Sequence, residues 1–235
     1  MCLSSRGIIE IDICVSLSYR PSSSTVRAFL QGCTSHQQGE VSMQLQESSI
    51  LSEHPLLLPI ILVEIKVWRT DEEEADLWNL LVDIEGRSEQ TGAPAISSSY
   101  AYDFDNTPLG AELESMNTGQ EKTNSEFQRV TVGVVGVIQR TTSLESHAKA
   151  LLLSIDEIRK SIEAVNNVAS TSTAARLKEI GEILSGKLDL LEHRTRVIMG
   201  NIQFVEKRAQ AQQSAVGLWA GSILFDANRT RFTTT

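Results

Sequence analysis

The sequence predicts an α/β (α+β) chain that is mostly helical. A small N-terminal strand region is packed with helices, and a long antiparallel helical hairpin with a stalk-like second helix follows. Three observations support this fold class: an alternating apolar pattern near the N-terminus, two long stretches with three- and four-residue apolar spacing, and an aromatic content of only 5%. Alternation indicates a strand, and three-four spacing indicates a helix that buries one face.

The predicted strand covers residues 7–19, where six apolar side chains fall on one face: Ile9, Ile11, Ile13, Val15, Leu17 and Tyr19. The segment "RPSSST" then breaks the pattern, and residues 31–42 have the composition of a loop. Few neighbouring segments could pair with this strand. We therefore expect either an edge strand with a weak neighbour or a sheet once completed by residues before Met1.

Two apolar segments follow. Residues 54–68, "HPLLLPIILVEIKVW", form a continuous apolar run that fits a helix or a strand. Residues 70–86 are predicted to be a separate helix. Thr70 and Glu73 match a capping box at its start, and Gly86 is a suitable stop. The apolar stripe of this helix is Leu77, Leu80, Leu81 and Ile84.

The second half of the chain predicts two long helices, at 127–167 and 173–213, joined by the turn-type residues 166–173. Each would be roughly 40 residues and about 60 Å long, and the short connection predicts that they are antiparallel. The predicted organisation is a partial α/β region at 1–87, an acidic flexible linker at 88–125, the helical hairpin and stalk at 126–216 and a divergent C-terminal tail at 217–235.

Charge and cysteine content limit the classes of function. Residues 71–126 hold fourteen Asp and Glu against Arg87 and Lys122, within a chain of net charge −9. This acidic middle argues against a nucleic-acid surface there. Three cysteines without a signal peptide predict free thiols in a reducing compartment. The longest apolar stretches, 55–63 and 214–225, are about half of a membrane span, so we expect this chain alone to be soluble and cytoplasmic.

Several short motifs resemble chemical sites but depart from them. "GEILSGKL" at 181–188 is close to a phosphate-binding loop, yet Leu188 stands where a hydroxyl is needed and no strand precedes it. "CTSH" at 33–36 with Cys14 lacks a fourth zinc ligand. His54, His147 and His193 are interpreted as surface or boundary residues. The sequon "NRT" at 228–230 means little without secretion.

No catalytic, cofactor-binding or metal site is assigned from the sequence. No Gly-x-Ser-x-Gly elbow and no recognisable Ser or Cys nucleophile beside a His is present, so we expect no enzyme and no small-molecule substrate. The acidic run Asp71, Glu72, Glu73, Glu74 and Asp76 could bind a hard cation weakly. Such a run is more often a solvated first helical turn.

An ordered set of segments resembles the fungal branch of the CorA-like magnesium transporters. The segments are "HPLLLPIILVEI" (54–65), "LLVDIEGRSEQTG" (80–92), "GVIQRTTSLESHAKALL" (136–152) and "EKRAQAQQSAV" (206–216). The resemblance covers most of residues 54–216. It implies a cytosolic α/β domain, antiparallel helices and a stalk helix that leads to a membrane, with Mg²⁺ as the ion. It also implies a helical 54–65 segment.

The sequence departs from the family pattern after Val216. The resemblance implies pentamers whose first membrane helix ends in Gly-Met-Asn, but here Met199, Gly200 and Asn201 stand in another order and far from the end. We expect the helix continuation and both membrane spans to be absent, as in a truncated or mis-spliced member. Such a chain would be membrane-associated only through the missing segment, and would be regulatory or assembly-related.

The partners implied are further copies or full-length relatives, bound through the helical seam. At most, Glu72 and Glu73 would bind Mg²⁺ weakly. The alternative is a soluble coiled-coil interaction protein with no role in ion transport, which would use the 127–213 hairpin as its platform.

Overall fold

A computed structural model describes residues 2–3, 13–20, 25–90, 119–168 and 174–232. It contains the strands β1 (Cys2–Leu3), β2 (Ile13–Arg20) and β3 (Thr25–Gln31), followed by the helices α1 (Ser35–Glu47), α2 (Leu57–Gln90), α3 (Gly119–Val168) and α4 (Ala174–Phe232). A short 3₁₀ turn, Ser49–Leu51, lies between α1 and α2. The predicted fold class, mostly helical with a small N-terminal sheet and a helical hairpin, is confirmed.

The sheet is antiparallel, in the order β1-β2-β3. Val15 lies opposite Leu30 and Leu17 opposite Ala28, while Cys2 lies opposite Cys14. Within β2, Val15 is buried and Ser16 and Ser18 are exposed, as the alternating pattern predicts. The neighbour that the sequence analysis did not identify is β3. Residues 7–12 of the predicted strand lie outside the described residues.

The prediction of a loop at 31–42 is wrong, because α1 begins at Ser35. Thr34 caps this helix: its Oγ1 accepts a hydrogen bond from the Gln37 backbone N–H at 3.3 Å. The Gln37 side chain returns a bond by accepting from the Thr34 N–H at 2.8 Å. This reciprocal capping box provides partners for backbone donors that the first helical turn cannot pair itself.

The prediction of a helix start at Thr70 is also wrong, because α2 is continuous from Leu57 to Gln90. The Thr70 hydroxyl donates to the carbonyl oxygen of Lys66, one turn earlier, at 2.8 Å. A threonine in a helix interior makes this bond, so the residue does not cap anything. Gly86 is likewise internal. Residues 57–68 of the apolar run therefore form the first turns of the same helix, and the helical segment that the resemblance implied at 54–65 begins at Leu57.

The chain folds as two compact units. Unit 1 comprises Met1–Ala75 and Thr142–Gln203, and unit 2 comprises Asp76–Thr141 and Phe204–Thr235. Each unit contains its own core, formed by segments of α2, α3 and α4. The core of unit 1 includes Ile60, Ile61, Leu62, Ile155, Ile158, Ile162, Ile180, Leu184, Leu188 and Ile198; that of unit 2 includes Leu77, Leu81, Ile84, Val130, Val134, Val137, Val205 and Ala209.

The predicted antiparallel hairpin is confirmed by side-chain bonds in unit 1. Arg159 of α3 bonds Asp189 and Glu192 of α4, each at 2.8 Å. Gln203, further along α4, donates to Glu145, which lies earlier in α3, at 2.9 Å. The earlier residue of α3, Glu145, bonds the later residue of α4, Gln203, so the two helices run in opposite directions.

The helices extend beyond their predicted ends. α3 begins at Gly119, inside the predicted linker 88–125, of which residues 91–118 lie outside the described part of the chain. α4 continues through the predicted tail to Phe232, so the expected absence of a helix continuation after Val216 is wrong. The stretch 214–225 contains Ala, Leu, Trp and Ile among its uncharged residues, and such side chains are compatible with a helix.

Candidate functional site

Ion pairs join the parallel helices α2 and α4 at a constant separation along the chain. In unit 1, Asp71 pairs with Arg194 at 2.5 Å, 123 residues later. Glu64 pairs with Lys187, which also lies 123 residues later in the sequence. The Arg194 guanidinium also lies 3.8 Å from the centre of the Trp68 ring. A cation over an aromatic face is attracted by the ring quadrupole, so Arg194 is held by two residues of α2.

The acidic run Asp71–Asp76 lies in the interior of α2 rather than in a first helical turn. Asp71 is neutralised by Arg194. Glu74 accepts a hydrogen bond from Asn201; burial raises its pKa, an effect that the Asn201 bond opposes and the nearby Asp71 charge reinforces. Glu72 is exposed. Among the residues that the structure describes, no three His, Cys, Asp or Glu side chains are grouped so that they could hold a metal ion.

The other sequence motifs lie within ordinary helical surroundings. Residues 181–188 are part of α4, and Leu188 is fully buried. A Cβ atom on Gly181 would lie 2.9 Å from Nδ2 of Asn166 and 3.2 Å from Cγ2 of Ile162. Close packing therefore explains the glycine at this position, and phosphate binding is not needed to explain it. Cys33 precedes α1, and burial raises the pKa of its thiol. Met199, Gly200 and Asn201 lie in the middle of α4.

The interpretation of His54 as a surface or boundary residue is wrong, because the residue is buried with only 1% of its surface exposed. Its Nδ1 accepts a hydrogen bond from the Leu56 N–H at 3.2 Å, just before α2. The opposite ring nitrogen, Nε2, has no hydrogen-bond partner among the described residues. Burial lowers the pKa of His54 to about 4. The imidazole is therefore neutral and supports the turn that leads into α2.

A groove of about 480 Å³ lies between α3 and α4 in unit 1. Leu152, Leu153 and Met199 provide its apolar lining, and the charged side chains around them include Arg159, Glu192 and Arg196. These charges are satisfied within the chain, since Glu192 bonds both Arg159 and Arg196. Arg159, Glu192 and Arg196 are therefore paired with one another at this groove rather than left free to bind a charged ligand.

The outer face of α4 carries a stripe of exposed apolar side chains spaced seven residues apart. In unit 1 these are Ile183 (53% exposed), Leu190 (68%) and Val197 (49%). We call these three residues the α4 stripe. A seven-residue apolar repeat on an exposed helix face is typical of a helix that packs against another helix. The same spacing recurs in the sequence of unit 2 at Phe204, Ala211 and Leu218.

Two glycines accompany the stripe. Gly186 and Gly200 lie three residues after Ile183 and Val197, and a Cβ atom built on either would meet nothing within 4 Å. Glycine in a helix interior costs about 0.5–1 kcal/mol relative to alanine. In the described part of unit 1, no neighbouring atom lies close enough to require glycine at these two positions, in contrast to Gly181.

The sequence analysis missed the α4 stripe although its signal was present. The stronger three-four pattern of this segment, Leu177, Ile180, Leu184 and Leu188, marks the buried face of α4. The second repeat, Ile183, Leu190 and Val197, was visible as a separate seven-residue period. Without knowing which face α2 and α3 cover, one cannot tell from the sequence which repeat is left exposed.

Comparison of the chain with protein-family models, with curated proteins and with solved structures finds no match. No helix in the described part of the chain has the length and apolar character needed to cross a membrane.

Proposed function

We propose that this chain is the cytosolic regulatory or assembly part of a CorA-like magnesium transporter. The observation that carries the proposal is α4, a single helix from Ala174 to Phe232 that pairs antiparallel with α3. A stalk helix of this kind is what the resemblance of residues 54–216 implies. α4 continues through the uncharged residues 214–225. A stalk of this kind would approach a membrane in this C-terminal direction.

The order of the elements also supports the proposal. A small sheet and α1 come first, the long α2 second and the α3–α4 hairpin last. The role of such a part is to assemble with further copies or with full-length relatives and to respond to Mg²⁺. Weak binding of the ion is proposed at exposed carboxylates of α2 such as Glu72, because Mg²⁺ keeps most of its waters and accepts one or two carboxylates.

The second candidate is a helical interaction protein without a role in ion transport. The observation that favours it is the α4 stripe, since an exposed apolar repeat is sufficient for partner binding in the absence of any ion. The two candidates differ in their dependence on Mg²⁺. Assembly through apolar side chains alone does not need the ion, whereas a regulatory part of a magnesium transporter must respond to it.

Limited proteolysis with and without Mg²⁺ tests the proposal. In millimolar Mg²⁺ we expect the helices to be cleaved more slowly than in K⁺ at the same ionic strength. A variant with Glu72→Gln and Glu73→Gln should lose part of this protection, while Asp83→Asn, lower on the same helix, should keep it. Equal cleavage rates in the two salts would reject the transporter role and favour the interaction protein.

A further inference from the structure

We infer that Cys2 and Cys14 form a redox-responsive dithiol, which an organic disulfide such as oxidised glutathione converts into a cross-strand disulfide between β1 and β2. The inference goes beyond the proposed function and does not depend on it. It concerns unit 1 only. It assigns a covalent modification site to a region in which the sequence pattern indicated only an incomplete set of zinc ligands.

The register of the sheet places the two cysteines directly opposite each other. β1 and β2 are antiparallel, and Cys2 is the Cα partner of Cys14, next to the pair of Leu3 and Ile13. Opposite residues of an antiparallel pair share one face of the sheet and have Cα atoms about 4.5 or 5.5 Å apart. A disulfide requires a Cα separation of about 4.4–6.8 Å. Both kinds of antiparallel position therefore satisfy this requirement without a movement of the backbone.

Cys33 is the third thiol of the chain, and its position in the sheet is different. Gln31 is the residue of β3 that lies opposite Cys14. Gly32 follows with a φ of 85°, a left-handed conformation that ends the extended path of the strand. In the described pairing, Cys33 therefore has no partner residue in β2.

The surroundings of Cys33 also make it a poor competitor. Burial raises the pKa of the Cys33 thiol, although the positive charges of Arg69 and Lys66 act to lower it. The thiolate is the attacking species in thiol–disulfide exchange, so a raised pKa leaves less of Cys33 in the reactive form at neutral pH. We therefore expect Cys33 to stay a thiol when Cys2 and Cys14 are oxidised.

The oxidation proceeds in two exchange steps. The thiolate of one cysteine of the pair attacks a sulfur of oxidised glutathione, which breaks the glutathione S–S bond, forms a mixed disulfide and releases one glutathione thiolate. The thiolate of the other cysteine then attacks the protein sulfur of the mixed disulfide, which forms the bond between Cys2 and Cys14 and releases the second glutathione. The two cysteines give up two electrons and two protons, and the glutathione disulfide takes them up as two thiols.

The disulfide fixes β1 on the edge of the sheet. β1 has 2 residues, which pair with Ile13 and Cys14, whereas strands usually have about 3–10 residues. A covalent bond across so short a ladder limits its opening, because it closes the loop between the two strands. In a reducing compartment, disulfides are rare and mostly transient or redox-sensing. The pair stays a dithiol there until the glutathione pool becomes more oxidised, so the attachment of β1 depends on redox conditions.

The linkage is tested by peptide mapping of the full chain after equilibration in glutathione buffers of increasing oxidised fraction, with EDTA present. Free thiols are blocked with N-ethylmaleimide before digestion without reductant. Trypsin separates the three cysteines, because it cleaves after Arg6 and Arg27 but poorly before Pro21. We expect the peptide that ends at Arg6 to be joined to peptide 7–27, and Cys33 to carry N-ethylmaleimide. The joined species should disappear on reduction with dithiothreitol.

The register is tested by moving one thiol by a single residue. In a chain with Cys2→Ser and Leu3→Cys, the new thiol is opposite Ile13 and on the other face of the sheet from Cys14, because successive residues of a strand alternate between faces. We expect the equilibrium constant for its internal disulfide with glutathione to fall by about tenfold or more. The matched control Cys33→Ser should keep the wild-type constant within about twofold. Circular dichroism verifies that each variant remains helical.

Three results would overturn the inference. The wild-type chain could carry glutathione on single cysteines without an internal bond, the main bond could join Cys33 to one of the other two, or the shifted variant could form its bond as readily as the wild type. If the shifted variant does not fold, the peptide map of the wild-type chain decides alone. These results are independent of the proteolysis experiment with Mg²⁺, so either proposal can fail without the other.

Discussion

Arg208 is a strongly bonded cation of unit 2. Its Nε and one terminal nitrogen each donate to a carboxylate oxygen of Glu85 at 2.6 Å, and its guanidinium lies 5.1 Å from the Trp78 ring. Both charged side chains are largely shielded from solvent. A planar guanidinium that bonds both carboxylate oxygens is a strong and directional pair. This pair ties α2 to α4 in unit 2, together with the buried hydrogen bond that the Gln212 side chain donates to the Ser88 hydroxyl at 2.7 Å.

We predict that Glu85→Gln lowers the free energy of unfolding by about 1–2 kcal/mol, because one of the two charge-assisted bonds is lost. The control is Asp83→Asn, which removes a half-exposed pair with Arg87 on the same helix. Exposed pairs contribute little, so this change should stay within about 0.5 kcal/mol. Chemical denaturation of both variants measures the difference. Equal effects would contradict the assigned importance of the Arg208 pair.

His54 makes stability depend on pH. Its folded pKa is about 4, below the ordinary value of 6.5, so the unfolded chain binds a proton that the folded chain excludes between these values. The contribution of the neutral His54 to the free energy of unfolding is therefore complete above about pH 6.5. It falls as the pH decreases towards 4, by at most about 3 kcal/mol. Protonation would also place a hydrogen on Nδ1, against the Leu56 N–H.

We predict that His54→Asn reduces this pH dependence, since an amide oxygen can still accept the Leu56 N–H and does not titrate. His193→Asn, on α4, serves as the control. The measurement is the denaturant midpoint at several pH values from 4 to 7. A wild-type slope that persists unchanged in His54→Asn would show that other groups cause it.

Among the elements, α3 contains two glycines one turn apart with different surroundings. A Cβ on Gly136 would meet nothing within 4 Å, whereas one on Gly133 would lie 2.9 Å from Cδ1 and 3.2 Å from Cγ1 of Ile84. The Gly133 position therefore lets α3 approach α2 closely in unit 2. The Gly136 position has no such role among the described residues of that unit.

We predict that Gly136→Ala raises the free energy of unfolding by about 0.5–1 kcal/mol, because alanine loses less conformational entropy in a helix. Gly133→Ala gains the same backbone contribution but must displace the buried Ile84 side chain, so its net effect should be close to zero or destabilising. Thermal unfolding of the two variants provides the comparison. Equal stabilisation by both would show that the contact with Ile84 is not restrictive.

Across the chain as a whole, protection from solvent is expected to differ between helices. α4 buries a side chain at nearly every turn from Leu177 to Val216, whereas α1 buries only Gln37 and Val41. We predict that amides in residues 184–202 exchange with solvent at least about 100-fold more slowly than those of α1, since local opening of α1 exposes little apolar surface. Hydrogen exchange followed by mass spectrometry measures this ratio, and similar rates in the two helices would contradict it.

Local periodicity was sufficient to predict a large part of this fold. The strand at Val15 and Leu17, the hairpin of α3 and α4 and most buried positions along both helices follow from side chains that repeat every two or every three to four residues. Such repeats must face one side of an element regardless of what covers it. The α1 capping box is also readable in the sequence, at Thr34 and Gln37, although the composition of residues 31–42 predicts a loop.

Packing between the helices determines which of the local sequence patterns correspond to a feature of the structure. Thr70 and Glu73 match a helix start, yet Thr70 is internal because the helix already runs through the buried apolar residues before it. The charge pairs Asp71–Arg194 and Glu85–Arg208 join residues 123 positions apart, which no short-range pattern specifies. The α4 stripe is exposed because α2 and α3 cover the other faces of the helix, and exposure is a property of neighbours rather than of sequence.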